Sequence, residues 1–266
     1  MLGRTGASRG GPGTGGEAGL RVYTADLHVH TALSPCAEPE MTPVDIVRVS
    51  IERGLDIVAV TDHNSGRNVR AVAACAEGEG VTVWPGMEVQ TREEVHLVVL
   101  TDGLAELEEW ERFIRAHLPS RPNRPEVFGE QLLFDEQGRV CGVEEQILLT
   151  SVDLGVDQVL REARRRGHVC YPAHIDRPAF SYVSNLGLAP PAEDFEVVEL
   201  SRRARPEEVK ARYPSLGGRT LIVASDAHRL AELGLARSLL VLREPSLVEF
   251  RAAIAGRDGR KVVSGF

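Results

Sequence analysis

Short apolar runs in this chain repeatedly end in histidine and carboxylate side chains. The first run reads DLHVHT at residues 26–31, and the second reads VAVTDHN at 58–64. The same arrangement recurs in PGME (85–88), EVH (94–96), YPAH (171–174) and ASDAH (224–228). Because a buried charge without a partner is costly, packing alone does not account for so many polar strand ends. The pattern predicts that metal ligands lie at strand ends across the whole chain.

The segments between these clusters alternate between strand and helix patterns. The near-continuous apolar run 55–60 is typical of a parallel strand covered on both faces. Thr42 and Pro43 have the form of an N-cap and a first helical residue, and Gly54 marks the end of that helix. Repeated units of this kind predict an α/β fold with a parallel sheet, most economically a (β/α) barrel of about seven or eight units.

Two regions depart from this alternation. Residues 1–20 are rich in glycine and nearly lack large apolar side chains, so we expect a disordered tail. The tail contains a formal Gly-x-Gly-x-x-Gly at 11–16, but without the flanking strand and helix that a dinucleotide site requires. We expect residues 21–266 to form one domain. Within it, the Pro-rich start and the hairpin pattern of 119–150 predict an insertion.

Composition restricts the partners. The net charge of −8 disfavours an extended nucleic acid or an anionic membrane surface as a partner. The sequence has no apolar run long enough to span a membrane, and its 4 cysteines are scattered without a Cys-x-x-Cys pair. These features predict a cytoplasmic protein in a reducing compartment. The oligomeric state is left open.

The histidines and carboxylates have the spacing of an open metal site. In His28-x-His30, the alternation of a strand places both imidazoles on one face. Two imidazoles and a carboxylate suit zinc, iron or manganese. Asp226-x-His228 offers a similar pair from another strand, and Glu88 has two oxygens with which to bridge two ions. The remaining histidines, His117 and His168, we assign to structure.

Taken together, these six motifs resemble those of the PHP (polymerase and histidinol phosphatase) superfamily. The match runs from about residue 26 to residue 228, and the order and spacing of the motifs carry it. The resemblance implies a distorted (β/α)7 TIM-like barrel, here with a hairpin insertion. It also implies a cluster of two or three divalent ions, usually zinc, manganese or iron, and phosphoester hydrolysis by a hydroxide that bridges the metals.

The resemblance also implies a ligand set. The first metal would be held by His28, His30, Glu88 and Asp226, the second by Glu88, His96 and His174, and the third by His63 and His228 with a ligand shortly after His30. Family members often have Asp or His at that last position, whereas this chain has Cys36 as the nearest candidate. Cys36 is either a soft thiolate ligand or a small buried residue in a tight loop.

Further roles follow from position. Glu88 and Asp226 are the candidate catalytic carboxylates. Arg177, three residues after His174, is either a phosphate clamp or part of a surface salt bridge. Asp26 and Asp62 adjoin ligands in sequence and are candidates to orient an imidazole N–H.

Two other functions compete with a phosphoesterase that acts on a small phosphorylated substrate. An amidohydrolase-like hydrolase usually needs a carboxylated lysine at a strand end, but the only lysines, Lys210 and Lys261, are not at strand ends. A non-catalytic module with a structural or regulatory role is the second alternative. The sequence does not identify the substrate: histidinol phosphate, a nucleoside bisphosphate and an oligonucleotide end are all candidates.

Overall fold

The computed structural model describes residues 19–263. Of the tail predicted to be disordered, only Gly19 and Leu20 fall within this range, and they have no regular secondary structure. Residues 1–18, which include the glycine motif, lie outside the described residues.

The described chain contains strands and helices in a mixed order. The strands are β1 (Arg21–Val29), β2 (Ile57–Val60), β3 (Thr82–Gln90), β4 (His96–Leu100), β5 (Leu132–Phe134), β6 (Val140–Val143), β7 (Val169–Pro172), β8 (Val197–Leu200), β9 (Thr220–Val223), β10 (Ser238–Leu242) and β11 (Lys261–Val263). The helices are α1 (Pro43–Glu52), α2 (Val69–Ala76), α3 (Leu104–Arg115), α4 (Pro125–Phe128), α5 (Val156–Arg166), α6 (Tyr182–Leu186), α7 (Pro206–Arg212) and α8 (Leu247–Ile254), with short 3-10 helices at Pro214–Leu216 and Arg257–Gly259. None of these helices has the length and apolar character needed to cross a membrane.

A curled seven-stranded sheet, in the order β11-β10-β1-β2-β3-β4-β7, forms the body of the α/β fold. Strands β1, β2 and β3 run parallel, as predicted, and so do β8 and β9 in a separate pair. The prediction of a parallel sheet is wrong for β10, which is antiparallel to both β1 and β11, and for β4, which is antiparallel to both β3 and β7. Only residues 91–95 connect β3 to β4, which is too short for the crossover that parallel neighbours require.

Backbone hydrogen bonds near the carboxyl ends of the strands connect the separate pair β8–β9 to the sheet. The Ile175 N–H, just after β7, donates to the Glu199 carbonyl of β8 at 3.0 Å. Beyond β9, the Ala227 carbonyl accepts from the His30 N–H at 3.0 Å. Within residues 119–150, the short strands β5 and β6 pair antiparallel.

Apolar side chains divide into two clusters, one on each side of the curled sheet. The larger cluster packs the sheet against helices and includes Ile46, Val72 and Trp110. The smaller cluster contains inward-facing strand residues and is closed at its base by α8, where the ring centroids of Phe250 and Trp84 lie 5.4 Å apart. Every strand that reaches the smaller cluster therefore has one apolar row pointing inward.

Helix termini follow local sequence in most cases. The Thr42 side chain accepts from the Asp45 N–H at 3.2 Å with Pro43 at the start of α1, as predicted. At α5, Asp153 is the N-cap that the sequence pattern predicts, but the N-cap is Gly155. The Gln158 side-chain oxygen accepts from the Gly155 N–H at 2.8 Å and so favours a start at that residue.

Candidate metal centre

The polar residues of the sequence motifs continue the inward-facing rows of the strands. Along β3 the row that begins with Trp84 reaches Glu88, because side chains two residues apart in a strand share a face. Asp226 lies three residues beyond β9, has a positive φ of 49°, and approaches His28 and His30. The predicted strand ends thus converge in one buried place.

A bulge in β1 brings both of its histidines into this place. Ala25 and Leu27 belong to the inward apolar cluster, and regular alternation would direct His28 to the other face. The pairing of β1 with β2 shifts register between Asp26 and Val29, as in a β-bulge, and His28 and His30 both lie fully buried in the site. Bulges commonly re-aim side chains next to active sites.

Glu88 lies at the centre of the cluster. Its Oε1 is 2.8 Å from His96 Nδ1 and 3.2 Å from both His28 Nε2 and His174 Nε2. Its Oε2 is 2.8 Å from His63 Nδ1. One carboxylate thus contacts imidazoles from four separate segments of the chain.

Three groups of side chains have the proximity that a metal ion requires. Within each group the candidate ligand atoms lie within 4.8 Å of one another. The groups are His28, His30, Glu88 and Asp226; His63, Glu88 and His96; and His30, His63 and His228. The first group is the set expected for the first metal. The other two groups differ from the expected sets. His63, and not His174, lies with Glu88 and His96, and His30 joins His63 and His228.

The proton positions in the first group fit a bound cation. Glu199 accepts from His28 Nδ1 at 3.0 Å, and Ser34 Oγ, which donates to Asp62 at 2.7 Å, accepts from His30 Nδ1 at 2.9 Å. When Nδ1 carries the proton of a neutral imidazole, Nε2 presents a lone pair. The Nε2 atoms of His28 and His30 are 3.1 Å apart. Several acceptors therefore converge where a cation would satisfy them all.

Unpartnered polar atoms support the same conclusion. His96 Nε2, His174 Nδ1, His63 Nδ1 and Glu88 Oε2 are buried without a hydrogen-bond partner. His63 Nδ1 and Glu88 Oε2 are close in distance, but their geometry is not that of a hydrogen bond. Buried polar atoms are rarely left unpaired, and a bound ion between His63 Nδ1 and Glu88 Oε2 would satisfy both of those atoms.

The protonation equilibria are strongly shifted. Burial opposes the charged form of Glu88, but His96 and His28 outweigh it and hold the pKa of the carboxyl well below its usual range. Burial likewise opposes ionisation of Asp226, and His28 holds its pKa low. For His96, burial lowers the pKa to about 4. Both carboxylates therefore stay ionised, and His96 stays neutral, at neutral pH, which is the state in which each can ligate a metal.

Two residues that position the histidines were not predicted from the sequence. Glu199 is fully buried in β8 and contacts His28, and Ser34 links His30 to Asp62. A signal for Glu199 exists, since it is a lone charge within the apolar run VVEL. Ser34 has no comparable signal, because serine is common in loops.

The roles expected for the two aspartates differ from the contacts observed. Asp26 accepts from the backbone N–H groups of Ser225 and Gly234, at 3.0 and 2.8 Å, so it fixes the segment that carries Asp226 rather than an imidazole. Asp62 accepts from Thr31 and Ser34 and reaches His30 only through Ser34. Glu199, and neither aspartate, contacts an imidazole directly.

Arg177 and Cys36 both lie at the cluster. Arg177 pairs with Asp226, so its salt bridge is at the site rather than on a remote surface. Cys36 is exposed as a residue, so it is not the small buried residue of the alternative interpretation. Partial desolvation of its sulfur by the neighbouring cluster would raise the thiol pKa, but the adjacent imidazoles of His63 and His228 lower it to about 6. His117 and His168 lie outside the three ligand groups.

The site also concentrates strained backbone. Asn64, His174, Phe180 and Asp226, all at or beside the cluster, have positive φ angles between 31° and 55°. Side chains other than glycine rarely adopt this conformation, and it costs of order 1–3 kcal/mol per residue. Such strain persists where surrounding contacts impose it, and it is frequent at functional sites.

Comparison with known proteins agrees with this description. A family model described as PHP domain matches residues 26–172, which is more than half of the chain. The uncharacterized protein MJ1587 of Methanocaldococcus jannaschii is 34% identical over 77 residues, covering 26% of this chain and 45% of that protein. The chain thus spans less than half the length of this relative.

Solved structures share the fold at low sequence identity. The lesion-specific endonuclease PfuEndoQ from Pyrococcus furiosus aligns with a TM-score of 0.66 and 19% identity over 91% of this chain, which spans 58% of that chain. A two-domain protein from Bacteroides vulgatus containing a predicted PHP-like metal-dependent phosphoesterase aligns with a TM-score of 0.56 and 16% identity over 98% of this chain and 70% of the other. An amidohydrolase from Chromobacterium violaceum aligns with a TM-score of 0.53 and 17% identity over 79% and 89%.

The residues matched by the family model include five polar residues of the cluster: His28, His30, His63, Glu88 and His96. The same motifs carried the resemblance in the sequence. The chain belongs to the PHP domain family.

Proposed function

We propose that this protein is a metal-dependent phosphoesterase that hydrolyses a small phosphomonoester or a nucleotide-type substrate. The observation that carries the proposal is the convergence of lone pairs from His28, His30, Glu88 and Asp226 in a buried place. Packing alone does not explain four such groups together, whereas a divalent cation does.

The proposed ligands follow the groups that the fold brings together. His28, His30, Glu88 and Asp226 would hold one ion, and Glu88 would be shared with a second ion near His96, His63 and His174. His228 and His63, with Cys36, are the candidates for a third. Nitrogen and carboxylate donors suit zinc, manganese or iron. When bound, such ions supply Lewis acidity toward a phosphoryl oxygen and activate water near neutral pH.

The protein's own residues would prepare the site for this chemistry. Glu199 and Ser34 keep the Nδ1 protons of His28 and His30 in place, so both Nε2 lone pairs face the interior. Arg177 contacts Asp226 and is half-exposed, so its guanidinium can also reach a phosphate that enters from solvent. A guanidinium forms paired hydrogen bonds with phosphate oxygens, which would stabilise the charge that develops during transfer.

The proposal extends to architecture and location. Backbone hydrogen bonds from β7 to β8 and from the end of β9 to β1 support a distorted (β/α)7 barrel over residues 21–266, with 119–150 as an insertion. The four cysteines, all within the described residues, are free, which supports the cytoplasm as the compartment.

Hydrolysis of another bond class is the second candidate, because one of the similar structures is an amidohydrolase. Lys210 pairs with Glu207 on α7 and Lys261 lies in β11, so neither supplies the bridging carbamate of that group. The fold likeness to PfuEndoQ, an endonuclease, places phosphodiesters among the substrates to test.

One substrate panel tests the proposal. Purified protein supplied with zinc, manganese or ferrous iron is assayed against p-nitrophenyl phosphate, bis-p-nitrophenyl phosphate and a p-nitroanilide. We expect metal-dependent release from the phosphomonoester that is abolished by a chelator and by Glu88→Gln. Release from the anilide alone, or equal rates with and without metal, would contradict the proposal.

A further inference from the structure

We propose that Phe180 is a stacking residue that selects substrates in which a planar aromatic group accompanies the phosphate. This inference rests on the proposed function and names the substrate class for the same site. It is carried by the position, exposure and backbone of Phe180.

Phe180 covers an imidazole of the candidate metal centre. Its ring centroid is 5.0 Å from that of His96, with the ring planes 25° apart, and its backbone carbonyl accepts from the His96 N–H at 3.1 Å. Phe180 is nevertheless 43% exposed as a residue, although His96 is buried. One side of the ring therefore packs on His96 of the candidate metal centre, and part of the residue is open to solvent.

The backbone of Phe180 indicates that this arrangement is imposed. Its φ is +55°, a conformation that is uncommon for a bulky side chain. The surrounding loop maintains it: Ser181 Oγ donates to the Arg177 carbonyl at 2.8 Å, and Arg177 N–H donates to the His174 carbonyl at 2.9 Å. Covering His96 would require only an apolar side chain, without strain and without an exposed aromatic surface.

The same loop presents a cation and an aromatic ring to the cluster. Arg177 contacts Asp226, and Phe180, three residues later, lies on His96. Asp176 fixes the loop to β8 by accepting from the N–H and the hydroxyl of Ser201, at 2.7 and 2.5 Å. A phosphate near Arg177 and an aromatic ring against Phe180 would thus be recognised by one rigid segment. Nucleobases are the common biological groups that combine with phosphate in this way, and they stack well on aromatic side chains.

Adenosine monophosphate and ribose 5-phosphate form a matched pair of probes, since they differ only by the base. We expect the metal-loaded protein to prefer adenosine monophosphate by about tenfold or more in kcat/KM, on the scale of base stacking. Phe180→Ala should bring this ratio close to one, and Phe180→Trp should retain it. Leu188→Ala, which removes another exposed apolar side chain from the connection between β7 and β8, should leave the ratio as it is.

The inference is overturned if the parent shows no preference, or if Phe180→Ala lowers both kcat/KM values by the same factor, because Phe180 then only shields His96. A second readout does not depend on hydrolysis. Adenosine, which has no phosphate to lose, should quench the tryptophan fluorescence of Phe180→Trp but not that of Val248→Trp, which places an exposed tryptophan on α8. Absence of this quenching would refute stacking even if the proposed phosphoesterase activity is present. Quenching without hydrolysis would instead refute the proposed function alone.

Discussion

Positive φ angles occur at both ends of the strands, but in different residue types. At the amino ends, the turns that lead into β2, β3, β7 and β9 contain Gly54, Gly80, Gly167 and Gly218, with φ between +68° and +83°. At the carboxyl ends, positive φ angles occur at Asn64, His174, Phe180 and Asp226. Glycine adopts this conformation without steric cost; Asn and Asp adopt it more readily than other residues, and for His174 and Phe180 it is uncommon.

The difference shows where a particular side chain is retained despite an unfavourable backbone conformation. A Cβ placed on Gly54, Gly80, Gly167 or Gly218 meets no atom within 4 Å, so the conformation alone favours glycine there. At the other end, His174 and Asp226 bring side chains to Glu88 and Arg177 that glycine could not supply. Among the described residues, all non-glycine positive φ angles except that of Asp258, before β11, thus lie at the end where the fold assembles the candidate metal centre.

The largest effect is expected from Glu88→Gln. This change removes the charge that four imidazole-bearing segments share, so bound metal should be lost and phosphoester hydrolysis should fall by about 10²-fold or more. Metal content and kcat/KM measure the outcome. Glu249→Gln is the matched control, since Glu249 is buried and bound by Arg260 but lies at the opposite end. Equal losses in both variants would contradict the assignment.

A smaller effect is expected from Glu199→Gln. The amide can still contact His28 Nδ1 but no longer favours one proton position, so metal affinity should fall by about 10- to 100-fold. Isothermal titration calorimetry of the metal-free protein with zinc measures the change in metal affinity. Unchanged affinity would mean that Glu199 only fills space in β8.

Gly167→Ala tests the amino-terminal end. Gly167 ends α5 with φ +78°, and an added Cβ meets nothing within 4 Å, so the cost is purely conformational. We expect a loss of about 1–2 kcal/mol in the free energy of unfolding, with metal affinity unchanged. Chemical denaturation measures the first quantity; a stability equal to that of the parent would show that the glycine has no conformational role.

The smallest effect is expected from Glu94→Gly at the carboxyl-terminal end. Glu94 is exposed and has φ +59° in the turn between β3 and β4. Relief of this conformation should raise the free energy of unfolding by up to about 1 kcal/mol. A loss of stability would indicate that the Glu94 side chain compensates for its strained backbone, and the contrast between the two ends would weaken.

Sequence patterns predicted the composition of the site better than its geometry. His28, Glu88 and Asp226 were recognised because each ends an apolar run, which is a local property. The bulge in β1 and the direction of β4 depend on pairing with distant strands, which a local pattern does not encode. The short connection before β4 was the one signal for its direction. Glu199 was overlooked because a single carboxylate in a strand pattern does not reveal its partner.

The central claim is that the buried cluster around Glu88 is a polynuclear metal centre. Elemental analysis of the purified protein, before and after incubation with zinc, manganese and ferrous iron, tests it most directly. We predict two or more equivalents of metal per chain, most of which are lost in His28→Ala. A protein that stays empty after incubation with all three metals would contradict the claim, and the non-catalytic alternative would then replace it.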